Sequence, residues 1–199
     1  MPFLQRAVPT TLTDRAAADL RFIRETMTNA ASFTALSGVG FVVIGVGALL
    51  TGFAARGLHA PADRLALWIA DALGSVAIGL VFMARKGRLA GQGLITGPFR
   101  KFALGFSPAV AAGGVLSLMF MRAGNLAELP ALWLLCYGAA LMAGGAFSVR
   151  IVPLMGACFM AVGALAALFP SAFGDLAMLV GFGGVHIAFG TIIARRHGG

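Results

Sequence analysis

Apolar residues in this chain fall into six long runs, at 31–54, 65–85, 102–122, 129–149, 151–169 and 173–194, with short stretches rich in glycine, proline and charge between them. Each run is close to the roughly 20 residues that a helix needs to cross a bilayer. The runs are continuously apolar, whereas a barrel strand would alternate sidedness over about ten residues. The pattern predicts an all-α integral membrane protein of six transmembrane helices, with residues 31–199 as the membrane domain and 1–30 as an amino-terminal arm.

Lysines and arginines set the sidedness. The arm, the segment 85–101, Arg150 and the carboxyl terminus hold 12 of the 15, while only Arg56, Arg64 and Arg122 fall on the other face. The positive-inside rule then predicts cytoplasmic termini and a multi-pass protein of a bacterial-type inner (plasma) membrane. Within the arm, Ala16, Leu20, Ile23 and Met27 follow helical spacing, with Thr13 as a cap and Arg21 to Glu25 as a supporting pair. Both an interfacial amphipathic helix and an ordinary solvated helix fit, because Phe22 breaks the stripe.

Composition agrees: 59% of residues are hydrophobic and 11% charged, too few charges to cover a soluble core of this apolarity. The net charge of +8 would suggest nucleic acid in a soluble chain. Here the basic residues stand at helix ends and no nucleic-acid motif occurs, so the bilayer, including anionic lipids at the cytoplasmic face, is the expected partner. Cys136 and Cys158 lie inside apolar runs, as small hydrophobes do, and imply no disulfide.

The runs also repeat. Gly40, Val46, Gly47, Ala48 and Leu49 recur as Gly156, Val162, Gly163, Ala164 and Leu165, and helix three gives a weaker version through Ser107, Gly114 and Leu116. The even helices align through Gly74 and Lys86, Gly138 and Arg150, and Gly183 and Arg195. Three repeated helical hairpins, each ending on a basic residue, are the economical reading, although glycine and alanine are common enough here to produce chance matches. Helix three carries Gly105, Ala109, Gly113 and Ser117 at every fourth position, a ridge for close helix packing with a neighbour in the chain, a membrane-protein partner or a second copy.

The run from Met155 to Pro170, MetGlyAlaCysPheMetAlaValGlyAlaLeuAlaAlaLeuPhePro, followed by a short turn and a glycine-rich helix ending IleIleAlaArgArg, resembles HdeD-type acid-resistance membrane proteins. The resemblance covers mainly the last hairpin. It implies six crossings in repeated hairpins and a non-enzymatic role in stress protection, and it carries over no catalytic residue.

Polar groups at membrane depth are costly and are the places to look for chemistry. They are Asp71, Tyr137 and His186, with Ser75 as a minor member. Aligned on the repeat glycines, the first three would span roughly 9 Å along the membrane normal, a candidate polar ladder. Asp71 reads as a proton or cation site, or more plainly as a carboxylate paired with Arg64 or Arg122. His186 reads as a proton acceptor or a metal or haem ligand, or more plainly as a neutral histidine sharing one hydrogen bond. Tyr137 and Trp133 also suit interfacial aromatics.

A bis-histidine haem lacks its second membrane histidine. The clustered ligands of a zinc hydrolase do not occur, and Ser107 lacks the nucleophile-elbow context. The expectation is a protein without cofactor, metal or catalytic residue: an accessory, stress-related or regulatory membrane protein, or alternatively a small transporter or channel using the ladder.

Overall fold

The computed structural model describes residues 15–23, 33–89 and 97–197, without the side chains of 170–172 and 197. Residues 15–23 form α1, whose Leu20, Phe22 and Ile23 are exposed. Thr13, Glu25 and Met27, part of the expected arm helix, lie outside the described residues. The crossings are α2 (Gly38–Ala55), α3 (Pro61–Leu89), α4 (Gly97–Arg122), α5 (Leu129–Gly145) after a 3-10 turn, and α6 (Ile151–Leu168). The sixth is α7 (Pro170–Met178), a π-helical stretch Leu179–Val185 and α8 (His186–His197). Among the described residues six helices are long and apolar enough to cross a membrane, and the protein is an all-α, multi-pass membrane protein. Apart from an isolated bridge between Phe33 and Ser148, the described residues contain no strand.

Local chemistry explains the boundaries. The first helix begins at Gly38 rather than 31 because Ser37 caps it, its hydroxyl accepting from Gly40 N at 3.1 Å. The residues just before it are held in another way: Phe33 N donates to Phe147 O at 2.7 Å, and Ser148 Oγ donates to Phe33 O at 2.6 Å. α3 starts on Pro61, has Asp63 in its first turn and Lys86 and Arg88 in its last, an arrangement that suits the helix dipole. α4 begins at Gly97, five residues before the expected start, so Pro108 stands inside the helix and removes one backbone donor there. Gly124, at φ 75°, turns the chain between α4 and α5 in a conformation that side chains disfavour.

The helices divide into an inner and an outer set. In the most apolar stretches of α2, α5, α6 and the sixth crossing, 33% to 44% of residues are buried, against 6% in α3 and in α4. α3 packs on α2, and α4 on α5. The core runs through Phe41, Leu134, Leu141, Met155, Phe159 and Ile193, with a smaller cluster of Ala48, Trp68 and Met178 beside it. Exposed Leu73, Val76, Leu80 and Val81 on α3 and Leu104, Val115 and Met119 on α4 fit a lipid surround, which accepts apolar side chains at no cost.

Two inner seams are built alike. A Cβ on Gly138 would come within 2.7 Å of Gly156 O, and one on Gly183 would collide with Leu49 beside Gly45 O. Gly163 lies against Leu134 and Gly52 against Leu179; Gly145 lies against Val152 and Pro153, and Gly190 against Phe41 and Val42. Each residue of the sixth crossing here has its α5 counterpart 45 positions earlier, and each α2 residue its α6 counterpart 111 positions later. The even-helix register read from the sequence therefore reappears in packing. The odd-helix register does not, because Gly45, not Gly40, is the packing equivalent of Gly156, while Gly40 faces Phe82 of α3. Gly74, the third even-helix glycine, meets nothing within 4 Å.

The Gly105 to Ser117 ridge faces α5. A Cβ on Gly105 would lie 2.8 Å from Ala143 O, and one on Gly113 would lie 3.0 Å from Cys136 Cβ. Ser117 Oγ accepts from Trp133 Nε1 at 2.8 Å and donates to Gly113 O at 2.6 Å, while Ala109 on the same ridge is half-buried.

Candidate functional site

The sixth crossing changes its winding just before its histidine. Through Leu179–Val185 the backbone is π-helical, and every extra residue in such a stretch rotates the next turn by about 100° relative to an unbroken α-helix. His186 follows directly and is 1% exposed. Its Nδ1 lies 2.9 Å from Phe182 O, four residues back. A carbonyl only accepts, so Nδ1 carries the proton, and Nε2 accepts from the Tyr137 hydroxyl at 2.9 Å. Tyr137 comes from α5, so the pair ties the fourth crossing to the sixth.

Aromatic rings close around the pair. Phe159 of α6 stands 5.1 Å from the imidazole and 4.9 Å from the Tyr137 ring, both edge-on, and Phe41 of α2 is 5.7 Å from the imidazole. Phe182 lies beside both rings, and Phe106 of α4 meets Tyr137 edge-on at 5.9 Å. Edge-on geometry places the positive rim of one ring against the negative face of another. Every inner crossing and α4 contribute a ring to this centre.

Asp71 is elsewhere. It accepts from Thr51 Oγ1 of α2 at 3.1 Å, and a Cβ on Gly47 would lie 3.5 Å from its Oδ1, so the carboxylate sits on the side of α2 that faces α3. Ser75, one turn further along α3, is half-buried. Arg64, an expected partner of Asp71, instead pairs with Asp175 at 3.3 Å, and both are exposed. The structure thus brings Tyr137 and His186 together and seats Asp71 and Ser75 on a flank.

Two surface pockets of the described residues involve neither group. One of about 390 Å³ lies along the basic end of α3, and one of about 30 Å³ lies between α2 and α3. Among the described residues no buried side-chain nitrogen or oxygen lacks a hydrogen-bond partner, and no three His, Cys, Asp or Glu side chains could share a metal ion. His59 is exposed between α2 and α3. The centre is chemically satisfied and closed, which suits a polar pin between helices.

Sequence reasoning missed Thr51, Phe159 and Phe182. Thr51 carried a usable signal, as a hydroxyl within an apolar run, but the two phenylalanines carried none among 16. No family model, curated protein or solved structure matches this chain.

Proposed function

We propose that this chain is a non-enzymatic accessory membrane protein, regulatory or stress-related, that acts through helix packing and its basic face. The observation that carries this reading is the closed centre. His186 and Tyr137, the groups best suited to moving a proton, spend their hydrogen bonds on each other and on Phe182 O inside a shell of aromatic rings. A transported solute needs a polar path, and here aromatic side chains fill the space. The stress-protective role implied by the HdeD-like last hairpin belongs to the same reading.

The test is recovery of partners from gently solubilised membranes, alongside solute flux through proteoliposomes of the pure protein. A stoichiometric membrane-protein partner or homo-oligomer with flux at the empty-liposome level is expected. Flux by the pure protein with no partner recovered would overturn the proposal.

A small transporter or channel is the second reading, and one observation favours it: π-helical turns recur at functional sites, and this one adjoins His186. Flux that falls in Asp71→Asn or His186→Phe would support it.

Placement follows from charge. The bacterial-type inner membrane with cytoplasmic termini is supported by the 12 to 3 excess of lysine and arginine at one end. Reporter fusions after Arg88 and Gly199 are expected to behave as cytoplasmic, and those after Gly57, Gly124 and Ala172 as external. An external signal after Arg88 would reverse the first two crossings. Anionic lipid is the expected partner of the basic end.

A further inference from the structure

Packing follows chain order around the bundle. α4 packs on α5, α5 on α6, α6 on the sixth crossing, the sixth crossing on α2, and α2 on α3. The circuit is broken once, between α3 and α4, where the described residues form no seam. Each glycine seam joins an even crossing to the odd crossing that follows it around this circuit, α5 to α6 and the sixth to α2. By the same rule α3 belongs with α4.

The two unjoined faces carry matching residues. On α3, Ala70, Gly74 and Ala77 share one face, and all are exposed. On α4, Ser107, Ala111 and Gly114 share a face that is likewise exposed, about 150° round the helix from the ridge that meets α5. A Cβ on Gly74 or on Gly114 meets nothing within 4 Å. Two alignments then give one register. In the closed seams the residue four before the even-helix glycine lies against the second odd-helix glycine, Leu134 against Gly163 and Leu179 against Gly52. The counterpart here is Ala70 against Gly114. Helix ends agree, because consecutive crossings run antiparallel: setting Pro61 level with Arg122, and Arg85 with Arg100, brings Ala70 level with Gly114, Gly74 with Ala111 and Ala77 with Ser107. All six positions hold glycine, alanine or serine, the residues that let membrane helices approach closely.

We propose that this open seam is the contact between two copies of the chain, with Ala70, Gly74 and Ala77 on α3 of each copy packing against Gly114, Ala111 and Ser107 on α4 of the other. A two-fold axis along the membrane normal keeps the two helices antiparallel, the sense both closed seams use, and covers both open faces at once. A single helix from another protein would cover one face and leave its complement open. At the basic end Arg85 comes level with Arg100 of the other copy, beyond the hydrocarbon, where long side chains turn apart into the headgroups. The seam deepens the helix-packing reading proposed above and rests on it.

The test uses the full chain with Cys136→Ala and Cys158→Ala, in membranes, with one further cysteine in each of two differently tagged, co-expressed chains. Ala77→Cys in one and Ser107→Cys in the other should give a disulfide-linked dimer on mild oxidation, since a disulfide spans Cα atoms up to about 7 Å apart. Ala70→Cys with Ser107→Cys, about 10 Å apart in height, and Ala77→Cys with itself should not link. Gly74→Leu should cut the linked fraction about tenfold or more by overpacking the seam, without lowering the stability of the detergent-separated monomer. Gly184→Leu, at an equally open glycine of the sixth crossing, should leave the dimer intact. Energy transfer between fluorescently tagged native chains should report the same dimer without any substitution.

Absence of that transfer, absence of the Ala77 to Ser107 link, or equal linking of the mismatched pairs would overturn the seam. Equal loss in Gly74→Leu and Gly184→Leu would do the same. A link at monomer mass in a chain carrying both Ala77→Cys and Ser107→Cys would mean that α3 closes on α4 within one copy, and would also overturn it. These readings do not depend on flux or on recovery of another protein, so failure here is distinguishable from failure of the proposed function.

Discussion

Gly138 and Gly74 hold the same place in the repeat, twelve residues before a basic helix end, and live in different surroundings. Gly138 has the backbone of Gly156 against it, as Gly183 has that of Gly45, whereas Gly74 faces open space on α3. Where small residues let two backbones meet, helices associate in lipid through packing and not through hydrophobicity. A repeat in sequence therefore marks a potential seam, and a seam forms only where the opposing helix presents matching small residues at the right height. α5 with α6 and α8 with α2 achieve this. α3 meets α2 through a different face, carrying Asp71 and Phe82, and forms no third copy of the seam.

The contrast is sharpest when a side chain is added at each glycine. Gly138→Leu or Gly183→Leu should lower stability by about 1–3 kcal/mol or more, since the new carbon meets a carbonyl or the Leu49 side chain and overpacking is costly. Gly74→Leu should be neutral or stabilising, because a mid-helix glycine costs about 0.5–1 kcal/mol relative to alanine. Thermal unfolding in detergent, followed by thiol-reactive dye at Cys136 and Cys158, ranks the three. Similar losses at all three positions would mean that α3 also packs through Gly74.

Next in size is the centre. Tyr137→Phe leaves Nε2 of His186 buried without a donor, at a cost of about 1–2 kcal/mol. His186→Phe leaves the tyrosine hydroxyl unpaired to a similar degree. The double change should cost less than the sum, and strict additivity in the double-mutant cycle would show that the two groups are not bonded.

On the flank, Asp71→Asn should change stability by under about 1 kcal/mol, since the amide oxygen can still accept from Thr51. Thr51→Val should cost at least as much, which the same unfolding assay would check. Smallest is Arg64→Gln. Its ion pair with Asp175 is exposed on both sides, so a change of about 0.5 kcal/mol or less, vanishing in high salt, is expected. A large, salt-independent loss would mean that this pair anchors α3 to the sixth crossing.

How far the sequence could be read differed from one residue to the next. Tyr137 and His186 stood out because polar atoms at membrane depth must find partners, and pairing is one of few solutions. That they would choose each other was hidden, because the rotation of His186 is set by a π-helical stretch that GlyPheGlyGlyVal does not announce. Asp71 was equally conspicuous, but Arg64, one of the two arginines expected beside it, went to Asp175, a partner 111 residues away that no local spacing suggests.

The amino-acid sequence by itself determined the six crossings and the charge difference between the two ends, because hydrocarbon thickness and the cost of buried charge act on composition run by run. It determined the small-residue register of the even helices that the inner seams use, through Gly138 and Gly183. Only the tertiary structure decided which face of each helix turned inward, that α3 and α4 stand outside, and that two seams formed instead of three. The physical reason is that these helices are apolar all round. In water the polar side of a helix declares which side is buried, whereas in lipid that contrast disappears, and orientation falls to side-chain shape, backbone proximity and a few hydrogen bonds.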